Sequence, residues 1–219
     1  MRDILTKVRS PLFEGMAIEE LLGMKGCLQY FVASYKKGQV IVMESEHVHH
    51  VGIVLSGQVD MVKEDLWGSK SLLARMKQDE LFGESFACGN DTQSVVTFLA
   101  SEDSQILFLP FCKVMRTCTM ACAFHQKLVE NMVRIIADKN RALMRKVEII
   151  SRRTLRDKIL TYLSFQAQKA DSRYFTIDLD RGELAEYLCA DRSAVSRELS
   201  AMKQEGIIDF DKKLFRILQ

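Results

Sequence analysis

The sequence predicts an α+β protein in three parts: an antiparallel β-barrel, one long helix, and a C-terminal unit of short helices closed by a β-hairpin. Three observations predict it. From Leu28 to Leu109 the runs "QYFVASY", "QVIVM", "VGIVLSGQVDMV", "SLLARMK", "SVVTFLA" and "QILFLP" are short and apolar, and Gly38, Gly57, Gly68 and Gly83 punctuate them. From Phe111 onward the period changes, because Val129, Val133, Ile136, Asn140, Leu143, Val147 and Ile150 are spaced alternately by four and three. After Ser151, "DLDRGELAEYL" and "ADRSAVSRELSAMKQEG" read as two short helices separated by a tight break.

Composition sets the bounds. The chain has 219 residues, 47% of them hydrophobic and 27% charged, enough for one large domain or two ordinary ones. A net charge of +2 neither marks nor excludes a nucleic-acid partner, so any basic surface must be local. No apolar run approaches the roughly 18 residues of a membrane span. The opening "MRDILTKVRSPLF" is too polar for a signal-peptide core, so a cytoplasmic protein with no membrane partner is expected. The cysteines, Cys27, Cys88, Cys112, Cys118, Cys122 and Cys189, show no C-x-x-C pair and read as free thiols.

Taken in order, "PLFEGMAIEELLG" forms a small helix that covers one end of the barrel. The barrel occupies residues 1–111. A helix over 112–150 follows, roughly 55 Å long at about 1.5 Å per residue. Its heptad seam is Val129, Val133, Ile136, Asn140, Leu143, Val147 and Ile150. Nothing else in the chain is large enough to cover such a helix on every side, so the seam meets its own copy across a two-fold axis. Asn140 within it costs stability and can fix register and oligomer state. The competing arrangement packs the seam inside one chain and turns Asn140 to solvent. A second set, Leu128, Met132 and Ile135, holds the same helix against the barrel. The final unit covers 151–219, with its boundary near Glu148 to Arg153.

In that unit Asp180 is an N-cap with Glu183 three residues on, a capping box, and Leu184, Ala185 and Leu188 give the packing face. Asp191 is a second N-cap, its carboxylate accepting from first-turn amides. The helix it starts runs to about Glu205, where Gly206 ends it in the left-handed conformation. Val195, Leu199 and Met202 point inward by spacing. Arg192, Ser193, Ser196 and Arg197 then lie outward at the N-terminal end, the end that enters a major groove. Arginine can donate two hydrogen bonds to guanine, and serine can donate to a phosphate or a base edge. "IIDFDKKLFRIL" alternates about a charged turn and reads as a hairpin wing, with Lys212 and Lys213 set to touch phosphates.

With these residues in view, the chain from about Leu12 to its end resembles the CRP/FNR family of bacterial transcription regulators. "PLFEGMAIEELL" is similar to the family's opening helix, "YKKGQVIVMESEHVHHVGIVLSGQVDMV" to its jelly-roll core, "ELFGES" to the entrance of its phosphate-binding cassette, and "RGELAEYLCADRSAVSREL" to its recognition module. The resemblance implies a jelly-roll barrel that senses an effector, a long dimerisation helix and a winged helix-turn-helix. It implies a homodimer on double-stranded DNA with a palindromic operator, its half-sites about 34 Å apart. The family's recognition helix commonly has a glutamate where this chain has Ser193. Activation would add a contact with RNA polymerase; repression needs only occupancy of a promoter.

The resemblance also bears on the effector. Glu84 matches the glutamate that cyclic-nucleotide-binding members place on the ribose, but the arginine for the cyclic phosphate falls at Gln93, followed by Ser94. An amide supplies neither the charge nor the fork of a guanidinium. The expected effector is therefore a small molecule other than cyclic AMP. Gly83, Glu84, Ser85, Gln93 and Ser94 bound its pocket, with Phe124 and His125 from the front of the long helix. Cyclic-nucleotide binding stays as an alternative.

A redox or metal response through Cys112, Cys118 and Cys122 is another, since Cys118 and Cys122 are four apart on one helical face; cysteines so spaced also pack simply as small apolar residues. Only Cys27 lies in the first 87 residues, so no iron–sulfur cluster of the family's type is expected. His47, His49 and His50 fall on an exposed turn, which argues against haem or a metal. No nucleophile elbow, P-loop or H-E-x-x-H motif is present, so the chain is not expected to be an enzyme.

Overall fold

A two-residue alternation builds the N-terminal half. A computed structural model describes residues 8–23, 25–65, 67–68, 70–115 and 123–218. A 3-10 turn at Pro11–Phe13 leads to two short helices, α1 (Ile18–Gly23) and α2 (Lys25–Leu28). Then come β1 (Phe31–Tyr35), β2 (Val40–Val42), β3 (His50–Ser56), β4 (Val59–Glu64), β5 (Lys70–Met76), β6 (Leu81–Phe82), α3 (Glu84–Ala87), β7 (Thr97–Ala100) and β8 (Ser104–Pro110). They form two antiparallel four-stranded sheets, in the orders β1-β8-β3-β6 and β2-β7-β4-β5.

β8 explains how both faces of the first sheet are used. Ile106 and Phe108 turn one way and share a core with Val59 and Phe98 of the second sheet. Leu107 and Leu109 turn the other way and share a core with Leu12, Leu28, Leu128 and Met132. A strand covered on both faces must be apolar throughout, as "ILFLP" is. The turn from β3 to β4 admits only glycine: Gly57 has φ 81°, and an added Cβ would lie 2.3 Å from Ser104 Oγ and 2.5 Å from the Asp103 carbonyl oxygen.

Helical period builds the rest. α4 (Phe111–Met115) and α5 (Ala123–Ile150) follow, then α6 (Leu155–Ala170), β9 (Tyr174–Thr176), α7 (Arg181–Tyr187), α8 (Arg192–Gln204), β10 (Ile208–Asp211) and β11 (Leu214–Ile217). Cys118 and Cys122 lie outside the described residues. The chain forms two compact units, residues 1–138 and 139–219, and the division falls within α5. In the second unit Ile149, Ile159, Leu163, Leu184, Val195, Leu199, Met202 and Phe215 form one core. The hairpin β10-β11 takes β9 as a third antiparallel strand, pairing Phe215 with Phe175.

α5 presents two apolar faces with opposite fates. Leu128 (0% exposed) and Met132 (1%) are buried, with Ile135 half-buried beside them. Next to Met132, Asn131 donates from Nδ2 to the carbonyls of Leu12 (3.0 Å) and Glu14 (2.9 Å), tying the N-terminal segment to the helix. The heptad seam is open instead: Val133, Ile136, Leu143 and Val147 are exposed, as is Asn140, while Val129 and Ile150 are half-buried. Within the single chain the seam is therefore not packed internally.

Candidate nucleic-acid interface

The helix pair of the second unit is built by its caps. Asp180 Oδ1 accepts from the amides of Gly182 (2.7 Å) and Glu183 (2.9 Å), and Glu183 Oε2 accepts from the Asp180 amide at 2.8 Å, which completes the capping box. These bonds, the one from the Glu183 amide foremost, hold the Asp180 carboxyl below its ordinary pKa. α7 ends when the Ala190 amide reaches the Ala185 carbonyl (2.9 Å) and the Cys189 amide that of Glu186 (3.1 Å). Cys189 stands at φ 51° where glycine is usual. α8 ends in the same motif, from Ile207 to Met202 (3.0 Å) and from Gly206 to Lys203 (3.1 Å), with Gly206 at φ 72° as expected.

One expectation is corrected. Asp191 has the extended backbone of an N-cap, and its carbonyl accepts from the Val195 amide at 3.0 Å, but its carboxylate makes no capping bond to α8. The cap is made by the backbone alone.

Val195, Leu199 and Met202 are fully buried, which turns the other face of α8 outward. Arg192, Ser193 and Arg197 are exposed and Ser196 is half-buried. Glu198, next to Arg197, is engaged elsewhere. Arg156 of α6 donates from Nε to Glu198 (2.6 Å) and from Nη1 and Nη2 to Glu205 (2.7 and 2.8 Å). The bonds from Arg156 hold the Glu205 carboxyl below its ordinary range. The acidic groups along α8 are thus spent on α6.

The wing carries Lys212, exposed and at φ 52°, and Lys213, whose ammonium donates to the Asp178 carbonyl. Sequence reasoning passed over Arg181, the first residue of α7. Its guanidinium lies over the rings of Phe210 (4.8 Å) and Phe215 (5.1 Å), and burial there draws its pKa below the ordinary value. Only its place directly after the N-cap was visible in the sequence.

In the barrel unit, Gly83, at φ 81°, is the N-cap of α3, Glu84 is buried, and exposed Ser85 donates from Oγ to Glu84 Oε1 at 3.2 Å. Gln93 and Ser94 are held by bonds to backbone carbonyls instead. Gln93 Nε2 donates to the Ser45 carbonyl (3.0 Å), and buried Ser94 donates from Oγ to the Val96 carbonyl (2.7 Å). Phe124 packs on the core that holds Phe86 and Ala87, and His125 is buried with no partner on Nδ1 among the described residues. His47 and His49 are exposed with rings stacked at 6.1 Å, and His50 stands edge-on to Phe31 at 5.4 Å. Cys112 is an exposed free thiol.

Comparison with known proteins agrees with both units. A family model described as "Cyclic nucleotide-binding domain" matches residues 32–119, and one described as "Crp-like helix-turn-helix domain" matches 157–219. The cyclic AMP receptor protein of Thermus thermophilus is 28% identical over 201 residues, covering 91% of this chain and 88% of that protein. The chain belongs to the CRP/FNR family of transcription regulators. A second CRP/FNR relative, the transcriptional activator protein FnrA of Stutzerimonas stutzeri, is 25% identical over 189 residues, covering 84% of this chain and 75% of that one. The crystal structure of the Thermus thermophilus catabolite activator protein shares the fold, with a TM-score of 0.55 at 23% identity over 95% of this chain and 93% of that one. Like its CRP/FNR relatives the protein is a DNA-binding transcription regulator and not an enzyme. Among its described residues no helix is long and apolar enough to cross a membrane.

Proposed function

We propose that this regulator acts in the cytoplasm as a homodimer on a palindromic operator. In this reading residues 1–111 sense an effector, 112–150 join two copies and 151–219 bind DNA. The observation that carries it is the open seam: Val133 is 56% exposed, Leu143 59% and Val147 53%, whereas Leu128 and Met132 on the other apolar face of the helix are buried. Val133, Asn140 and Val147 take one core position of the heptad, and Val129, Ile136, Leu143 and Ile150 take the other. Branched Val with Leu or Ile opposite, and a single Asn, favours two strands in one register. A groove of about 630 Å³ lined by Asn140, Leu143, Met144, Val147 and Phe165 lies along the same face.

Each copy then presents Arg192, Ser193, Ser196 and Arg197 to one half-site, with the wing lysines Lys212 and Lys213 toward the backbone. Arg197 makes a bidentate base contact, so Arg197→Ala costs about 1–3 kcal/mol and relaxes selectivity at one base pair of each half-site. Selection from a random duplex pool tests this. A palindrome recovered by the native protein, with one position loosened in the variant, is the expected result; an unchanged preference would remove Arg197 from base reading.

The effector is a small molecule other than cyclic AMP, bounded by Gly83, Glu84, Ser85, Gln93, Ser94, Phe124 and His125. The cyclic AMP in the name of the Thermus relative is not carried over. The residue at the phosphate position is an uncharged amide already donated to the Ser45 carbonyl. Addition of cyclic AMP is expected to leave the thermal unfolding of the protein unchanged, and a saturable upward shift would overturn this part of the reading.

A further inference from the structure

Two cations from the helix pair close on one aromatic ring of the wing. Arg181, opening α7, places its guanidinium 4.8 Å from the Phe210 ring centroid and 5.1 Å from that of Phe215. Lys203, in the last turn of α8, brings its ammonium to 5.1 Å from the same Phe210 ring and donates to the Phe210 carbonyl at 3.0 Å. The rings are themselves held, Phe210 stacked on Phe215 at 5.4 Å and Phe215 on Phe175 at 6.3 Å. From this position Arg181 Nη2 donates to the Lys212 carbonyl at 3.1 Å, the turn of the wing, where Lys212 sits in the left-handed region that favours glycine.

A guanidinium in this arrangement has its face on two rings and one edge on the backbone. Lysine keeps the charge but cannot reproduce the planar stack and the directed edge together. The stack and the backbone bond together hold the guanidinium and the wing turn in one arrangement, using one of its five N–H donors on the carbonyl. We propose that Arg181 is a positioning residue for DNA binding: it fixes the wing turn so that Lys212 meets the phosphate backbone. This rests on the reading of Lys212 as a phosphate contact.

The test is the salt dependence of binding to a fluorescent duplex of random sequence, measured for the full-length protein. Each phosphate contact contributes about 0.9 to the slope of log affinity against log salt. Lys212→Ala is expected to lower the slope by that amount. Arg181→Lys is expected to lower it equally, although no charge leaves the chain, and the double variant is expected to fall no further. Phe210→Leu, which keeps both cations and removes the ring, is expected to match Arg181→Lys, and faster amide exchange at residues 211–214 should accompany both.

Arg181→Lys with a native slope, or a further loss when Lys212→Ala is added to it, would mean that Arg181 grips DNA or that the two act separately, and the proposal fails. A lowered unfolding temperature with slope and affinity unchanged would reduce the clamp to a stability element and fail it equally. If Lys212→Ala alone leaves the slope unchanged, the wing contact itself is wrong and the inference falls with it, a result distinct from additivity.

Discussion

Leu143→Ala is expected to separate the proposed dimerisation from folding on a single helix. Full burial of a leucine side chain contributes about 1.5–3 kcal/mol. Leu143 is 59% exposed in the single chain, so a partner helix that covers it gains about 1–2 kcal/mol per copy and ~2–4 kcal/mol per dimer. Truncation should therefore weaken the dimer roughly 30- to 700-fold. The monomer should not notice, because alanine is at least as good a helix former as leucine and the site is not in either core. Leu128→Ala is the control on the buried face: at 0% exposure it should cost about 2–5 kcal/mol of unfolding stability. Sedimentation equilibrium over a range of concentrations reads the first effect, and thermal unfolding of the dissociated chain reads the second. A dissociation constant unchanged within about threefold in Leu143→Ala, or a monomer destabilised as in Leu128→Ala, would refute the assignment of the open face to a second copy.

Four further outcomes are expected. Gly57→Ala should cost about 3 kcal/mol in denaturant unfolding, since a positive φ is combined with a Cβ only 2.3 Å from Ser104 Oγ. Gly206→Ala should cost about 1 kcal/mol, because nothing lies within 4 Å of its added Cβ and only the left-handed backbone resists. Its counterpart Cys189→Gly should gain at most ~1 kcal/mol, and a loss there would show that the thiol packs after all. On acidification the folded state should weaken below about pH 4. Asp180, Glu205 and Asp209 all have carboxyls held below their ordinary values of 3.8, 4.5 and 3.8, so each contributes stability above that value and loses it as pH falls through the depressed one. Urea unfolding between pH 3 and 6 checks the sign; stability that rises toward pH 3 would reverse it.

Period and caps carried most of this fold into the sequence. "ILFLP" on β8, the capping box at Asp180 and the glycine stop at Gly206 are local patterns, and each forms for the local reason its residues suggest. Period also drew both apolar stripes of α5, and the stripe assigned to the barrel, Leu128 and Met132, is the one that packs against Leu12 and Leu107. What escaped the sequence is long-range and polar. Asn131 bonds residues 117 and 119 positions away, Arg156 reaches carboxylates 42 and 49 away, and Arg181 reaches a carbonyl 31 away. Such pairs leave no repeat, because one cation serves as well as another until the backbone has chosen its neighbours. The case of Asp191 runs the other way. Its residue type predicted a side-chain cap, yet that preference is only about 1 kcal/mol, and α8 starts there from backbone geometry with the carboxylate unused. The candidate interface is thus legible as a list of residues on one helix face, whereas the contacts of Arg181 with the wing beside it emerge only when α7, α8 and the hairpin are folded together.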